Sequence, residues 1–318
     1  MIYFLHLIWG IMLSKTPLIW FKGKILTREE ANINVLSPTS QYGINVFEGI
    51  RCYWNEDRQQ LFAFKLEEHL KRLLNSAKLL KLEHNLDLDF IKKAFIKTIH
   101  ANEFKEDIIV RITLFLDGEG SWSSKKPVSM FISAIPKGRY YKGKEGIRCC
   151  VSSWRRIDDT TLPPRVKAGA NYLNSRYAQL EAMDSGYDSC ILLNKLGMVA
   201  EGPGACVFLV RDNKVITPNI TSSILESINR KFIIHLITEE LKFKVEERQI
   251  DRTELYISEE IFFVGTAVEI TPIIQIDTFK VNNGKVGKIT KSLRNLFFEI
   301  VRGNYKLDTY KKFLTPIY

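Results

Sequence analysis

Apolar positions in the first third of the chain switch between two periods. After the strand-like run "LFAF", Leu70, Leu73, Leu74, Ala77 and Leu80 recur every three or four residues, the spacing of one helix face. A second helix is expected near Phe90 to Ile99, and "DIIVRITLFLD" and "VSMFISAI" then read as β-strands. Such alternation describes a small α/β unit ending near Ala134, followed by "IPKGRYYKGKEG", a Gly- and Lys-rich linker.

The second half opens on the strand-like "IRCCVSSW" and continues through "SCILLN" to "CVFLVRDNKVITP", where Asp212-Asn213 suits the tight turn of a hairpin. Beyond it Ile228, Phe232, Ile233, Leu236, Ile237 and Leu241 keep helical spacing, and Ser223 with Glu226 has the form of a capping box. The expected division is therefore a small N-terminal α/β domain over 15–134, a connection over 135–146 and a larger C-terminal domain over 147–318. Residues 1–14 form an extension outside both. Its "MIYFLHLIWGIML" lacks a basic segment and a small-residue cleavage site, and it is too short to span a bilayer. Met12 offers an alternative start.

Composition narrows the function classes. Apolar residues make up 45% and charged residues 26% of 318, the balance of a soluble globular protein. The net charge of +10 arises from Lys and Arg interleaved with Glu and Asp, without a basic stripe or a nucleic-acid-binding signature. Nucleic acid and membrane are not expected partners, whereas an anionic small molecule is. The cysteines at 52, 149, 150, 190 and 206 form no CxxC pair, which suits a reducing, cytoplasmic compartment, and no metal-ligand set is assigned.

Candidate chemistry begins at "RVKAGANYLNSRYA", where Lys167 stands alone among small residues. A lysine becomes a nucleophile when its amine loses a proton, and it then forms a Schiff base with a carbonyl. In "MVAEGPGACVFLV", Glu201 precedes a Gly-Pro-Gly turn and a strand, so a carboxylate is placed to face a ligand. "TSSILESINR" leads into a helix whose free N–H groups form a phosphate seat, and "FVGTAVEITP" supplies a second small-residue turn for an anion. Lysine, carboxylate, phosphate seat and anion turn together describe pyridoxal phosphate.

The chain resembles the class IV aminotransferases, most closely the bacterial branched-chain amino acid aminotransferases, from about Ile19 to about Arg302. The likeness is carried by "IWFKGKIL", "YGINVFEGIRCY", "EEHLKRLLNSAK", "VSSWRR", "KAGANYLNS", "EGPGACVF" and "GTAVEITPI" in matching order. It implies the fold-type IV architecture, of class α/β (α+β), with pyridoxal 5'-phosphate between two α/β domains in a homodimer or larger homo-oligomer. It implies that Lys167 bonds to the cofactor and later shuttles the proton, that Glu201 binds the pyridine nitrogen and that Tyr172 meets the phenolic oxygen. Arg72, Ile228, Asn229 and Thr266 would hold the phosphate, and Leu225 would pack on the ring. Thr266, Ala267, Tyr42, Arg51, Arg111 and Tyr140 would surround the substrate, and Phe47 would line its apolar pocket. The implied reaction transfers an amino group between Leu, Ile or Val and 2-oxoglutarate. A D-amino acid aminotransferase, an aminodeoxychorismate lyase or another transaminase shares the scaffold, and a non-catalytic relative would more readily have lost Lys167 or Glu201.

Some positions depart from the family pattern. Ser227 and Asn229 replace a glycine and a threonine at the phosphate helix, and Cys206 replaces an asparagine after the glutamate. Ile109 stands in place of a pocket tyrosine, and "DGEGSWSSKKP" around Trp122 replaces the usual glycine-rich loop, while Arg111 remains to meet the side-chain carboxylate of glutamate.

Overall fold

The computed structural model describes residues 17–138 and 145–318. The linker's Tyr140 and the extension over residues 1–14 lie outside those residues. The chain first forms strands β1 (Ile19–Phe21) and β2 (Lys24–Leu26), helix α1 (Pro38–Tyr42), strands β3 (Asn45–Asn55) and β4 (Gln60–Phe64), then helices α2 (Leu66–Leu79) and α3 (Leu88–Asn102) and strands β5 (Ile108–Leu116) and β6 (Val128–Pro136). Next come β7 (Ile147–Arg155), α4 (Tyr172–Asp184), β8 (Ser189–Leu193), β9 (Cys206–Arg211), β10 (Lys214–Pro218), α5 (Ile228–Glu239), β11 (Lys244–Arg248), β12 (Glu260–Gly265) and β13 (Glu269–Ile276). The pair β14 (Phe279–Lys280) and β15 (Leu314–Pro316) frames two final helices, α6 (Lys288–Val301) and α7 (Leu307–Tyr310).

Two sheets result. The first runs β15-β4-β3-β5-β6-β1-β2 and the second β11-β10-β9-β12-β13-β7-β8, with β14 added to β13. The first is antiparallel throughout, and α2 and α3 lie in the connection from β4 to β5. The second contains the parallel pairs β7–β8, β10–β11 and β7–β13, and the first two are connected through α4 and α5 as parallel pairing requires. Asp212 and Asn213 turn the β9–β10 hairpin in left-handed geometry, at φ of 50° and 57°. The final strand β15 returns to the first sheet beside β4, so the division of the chain is not purely sequential.

The buried faces explain the periodicities. Leu66, Leu70, Leu73 and Ala77 of α2 and Ile91, Phe95 and Ile99 of α3 pack on β3 and β5 in one apolar cluster. The opposite side of β3 and β4 contributes Tyr53, Phe62 and Phe64 to a second cluster with Phe208, Phe232, Phe262 and Phe297. That second cluster joins the sheets: Phe64 meets Phe232 at 4.9 Å and Phe297 at 5.7 Å between ring centroids.

One local expectation is corrected. Helix α5 is capped by Ser227, whose hydroxyl accepts from Arg230 N–H at 3.2 Å, and not by a Ser223/Glu226 box. Ser223 lies four residues before the cap with φ of 64°, and the Glu226 carboxylate meets Arg165 at 2.9 Å instead. A serine at the residue next to the first turn outcompetes one held farther upstream.

Because Phe64 packs against rings of α5 and α6, the helices that share a core with the second sheet, Phe64→Ala is expected to cost about 3–5 kcal/mol. Urea denaturation followed by fluorescence should show one cooperative transition moved to lower urea. Two separate transitions would contradict a shared core.

Candidate active site

The lysine's position is set by backbone pairing. The Phe47 N–H donates to the Lys167 carbonyl at 3.0 Å, and the Gly169 N–H donates to the Asn45 carbonyl at 3.2 Å, so the loop lies along the start of β3. A Cβ at Gly169 would fall 2.6 Å from Asn45 Oδ1, so glycine lets the loop pack there without displacing that side chain. Asn171 folds the loop by donating to the carbonyls of Val166 at 2.9 Å and Pro163 at 3.2 Å. Lys167 Nζ then reaches the Tyr172 hydroxyl at 2.7 Å and lies 4.9 Å from the Phe47 ring.

Across the same cavity, of about 680 Å³, stands Glu201. The N–H of Leu192 donates to its carbonyl at 2.9 Å, and Gly202 closes the following turn with an N–H donated to Ala205 O at 2.8 Å. A Cβ on Gly202 would lie 2.7 Å from the Phe263 ring, so glycine permits the turn to sit against β12. The Glu201 carboxylate accepts from Arg156 Nε at 2.9 Å and from Leu225 N–H at 3.2 Å. Burial pushes this carboxyl above its ordinary range, against the downward pull of Arg156.

Arg72 also lines the cavity, and its placement comes from a buried carboxylate behind it. Its Nε and Nη2 meet the two oxygens of Glu48 at 2.6 and 2.9 Å, while Nη1 donates to the carbonyl of Glu226, one residue before the α5 cap. His69 Nδ1 lies 2.7 Å from the same carboxylate, and burial lowers the imidazole's basicity. Burial alone would raise the Glu48 carboxyl; the charges of Arg72 and His69 outweigh it and bring it down to about 2.

The expected site residues divide into three groups. Lys167, Tyr172, Glu201, Arg72, Leu225, Ile228, Thr266, Ala267, Phe47 and Arg111 line one cavity, together with Ile109 and Cys206. Asn229 is buried one residue beyond, its Oδ1 without a hydrogen-bond partner among the described residues. Tyr42 is 47% exposed and outside the cavity lining, and Arg51 is a correction: it is 2% exposed, absent from the lining, and its Nη2 pairs with Glu269 at 2.7 Å. In β3 it projects into the joint between sheets, while Phe47 and Gly49 face the cavity.

Sequence reading overlooked Arg156, Glu48 and His69. All three stood inside recognised motifs, "VSSWRR", "FEGIR" and "EEHLKR", but their partners lie 45, 24 and 21 residues away in the chain. The lining carries Arg72, Arg111, Arg156, Lys167 and Arg176 against Glu201 as its sole acidic residue among those described. Such a cavity favours an anionic ligand that offers one hydrogen-bond donor to a carboxylate.

Comparison with known proteins agrees with this geometry. The sequence profile of the family described as amino-transferase class IV matches residues 45–276. A probable branched-chain-amino-acid aminotransferase of Aquifex aeolicus is 42% identical over 308 residues, covering 94% of this chain and 96% of the relative. The crystal structure of a branched-chain aminotransferase from the archaeon Thermoproteus uzoniensis, with norvaline, superposes with a TM-score of 0.90 at 40% identity, covering 96% of this chain and all of that one. A branched-chain amino acid aminotransferase from Thermobaculum terrenum in PLP form gives the same TM-score of 0.90 at 40% identity, over 95% and 99% of the two chains.

The depressed carboxyl of Glu48 has a pH signature. Its folded value of about 2 lies below the ordinary 4.5, so the stability it contributes is present above about 4.5 and is lost as pH falls through about 2. Glu48→Gln is expected to lower the urea midpoint at pH 7, and the gap from the unaltered protein should narrow between pH 4.5 and 2. A gap that stays constant across that window would contradict the assigned pairing.

Proposed function

We propose that this chain, which belongs to the class IV aminotransferases, moves the amino group of a branched-chain L-amino acid to 2-oxoglutarate with pyridoxal 5'-phosphate as cofactor. The observation that carries the reading is the Lys167–Tyr172 contact of 2.7 Å facing Glu201 within one basic cavity. The names of the similar proteins supply the substrate class.

The residues fit the cofactor. Glu201, buried and anchored by Arg156 and Leu225, suits a protonated pyridine nitrogen; Tyr172 suits the phenolic oxygen. Arg72, the leading amides of α5 at Ile228 and Asn229, and Thr266 suit the phosphate, because a helix start and a fixed guanidinium both favour a dianion. Leu225 lines the same cavity and offers an apolar surface to the ring.

When bound, pyridoxal phosphate supplies a carbonyl that takes up the amino group and a ring that accepts the electron pair left at Cα. Lys167 Nζ would bond to the cofactor at rest and, once free, would act as the base that takes the Cα proton of the bound amino acid and gives it back. Tyr172 hydrogen-bonds Nζ and so fixes where that proton is held. Glu201, anchored by Arg156 and Leu225, would keep the pyridine nitrogen protonated. The same steps in reverse serve 2-oxoglutarate.

Both substrates must enter one pocket. Phe47, Gly49 and Ile109 offer an apolar wall, and the Arg111 guanidinium lies 4.2 Å from the Phe47 ring. Parked on that ring, Arg111 leaves space for a branched side chain; lifted from it, the guanidinium meets a side-chain carboxylate. The substrate's own carboxylate is assigned to the Thr266-Ala267 turn. The two-domain reading, 15–134 and 147–318 about a cofactor, is supported by a lining drawn from both sheets.

The second copy of a homodimer is assigned to α4. Leu173, Tyr177, Leu180 and Met183 are exposed along one side of that helix, Trp154 stacks on Tyr177 at 4.8 Å, and Leu173, Leu180 and Met183 also edge the cavity. Exposed Tyr42 is assigned to the partner's cavity, and Tyr140 to the substrate shell. Among the described residues no helix is long and apolar enough to cross a membrane. The five cysteines are unpaired and buried, which supports the cytoplasmic assignment.

The purified holoenzyme is expected to convert L-leucine and 2-oxoglutarate into equimolar 4-methyl-2-oxopentanoate and L-glutamate, measured by chromatography, with no turnover of D-alanine. Lys167→Ala should reduce the rate by at least about 10³-fold while still retaining phosphate-held cofactor. Turnover of D-alanine alone, or pyruvate release from 4-amino-4-deoxychorismate, would overturn the substrate assignment. In light scattering, Leu173→Asp/Tyr177→Asp should convert a dimer to a monomer; an unchanged mass would remove α4 from the interface.

A further inference from the structure

Arg51 and Glu269 form a buried ion pair between the two sheets, at 2% and 4% exposure and 2.7 Å apart. Arg51 belongs to β3, and Glu269 opens β13 directly after Gly265-Thr266-Ala267-Val268, a turn that lines the cavity. The other end of the guanidinium reaches the connection between the sheets: Nη1 donates to the Lys137 carbonyl and contacts that of Gly138 at 3.5 Å. Tyr53 lies beneath, its ring 5.4 Å from the guanidinium carbon.

The backbone of Glu269 is held in an unfavourable conformation. Its φ is 55°, a left-handed value that a residue with a Cβ adopts only where its surroundings compel it. Gly265 pairs with Glu269 in the strand register, so this residue closes the turn. The Thr271 hydroxyl fixes the other side by donating to the Val268 carbonyl at 2.6 Å. Left-handed geometry swings the Glu269 carboxylate away from the cavity and into the joint, where it meets an arginine from the opposite sheet. Two ions withdrawn from water are a poor means of gaining stability, because their desolvation offsets most of their attraction.

We propose that Arg51 and Glu269 are positioning residues that fix the Thr266-Ala267 turn, so that its backbone N–H groups point at the carboxylate of the bound amino acid. Arg51 acts through Glu269 and touches no ligand. Its hold on the carbonyls of Lys137 and Gly138 ties the turn to the connection between the sheets, making the anion seat and the seating of the two sheets one mechanical unit. The inference rests on the cavity being the amino-acid site, and the test separates the two claims.

Arg51→Met alone would leave a buried carboxylate without its counter-charge, so two other variants carry the test. Arg51→Met/Glu269→Gln removes both charges together, and Arg51→Met/Glu269→Gly does the same while keeping the left-handed backbone. In both holoenzymes, KM for L-leucine is expected to rise about tenfold with kcat nearly unchanged, the mark of lost ground-state and transition-state binding alike. Hydrogen exchange read by mass spectrometry should accelerate in the peptide spanning 265–268 and remain unchanged in that spanning α3. Unchanged KM and unchanged exchange in folded variants would overturn the proposal. Faster exchange at 265–268 in a protein that never turns over L-leucine would uphold the clamp and place the failure in the functional reading.

Discussion

Two backbone hydrogen bonds govern the site, those joining Phe47 to the Lys167 carbonyl and Gly169 to the Asn45 carbonyl. They attach the lysine's loop to the central part of the first sheet, while Tyr172, the first residue of α4, belongs to the layer that covers the second. The lysine is consequently positioned by both halves of the chain. Phe47 serves this arrangement twice: its backbone holds the loop, and its ring packs against Tyr172 at 5.1 Å and accepts the two nearby cations.

Electrostatics follows a consistent scheme around that constraint. Glu48 is saturated by Arg72 and His69 behind the wall, which fixes the guanidinium at the cavity beside the start of α5. Glu201 is only partly satisfied by Arg156 and Leu225, and burial leaves it a stronger base than an exposed carboxylate. One acid therefore serves to orient, and the other is available to a ligand's donor. The Cys206 thiol beside them is pushed up to about 12 by burial and by the Glu201 charge, so it remains a protonated packing group.

Much of this was legible in the sequence because it is local. Gly169 of "KAGAN" and Gly202 of "EGPGA" mark places where backbone approaches a neighbour closely, and the structure shows Asn45 and Phe263 as those neighbours. The helix faces of α2 and α5 and the Asp212-Asn213 hairpin likewise depend on short-range periodicity and turn chemistry. Residues whose meaning depends on distant partners were not legible. Arg51 is separated from Glu269 by 218 residues, and an arginine two positions from a cavity glycine on the same strand gives no sign that it serves the joint between sheets. Arg156 and Glu48 were hidden for the same reason. Strand β15 was hidden too, because three residues at a chain end carry no period that distinguishes an edge strand from a tail.

Lys167 as the cofactor's covalent partner is central to the proposed function. The most direct measurement is borohydride reduction of the purified holoenzyme, followed by proteolysis and mass spectrometry of the peptides. The account predicts the phosphopyridoxyl mass on the peptide containing Lys167 and its loss after prior incubation with L-leucine. The label on any other lysine, or a Lys167 peptide unmodified after saturation with pyridoxal phosphate, would contradict it.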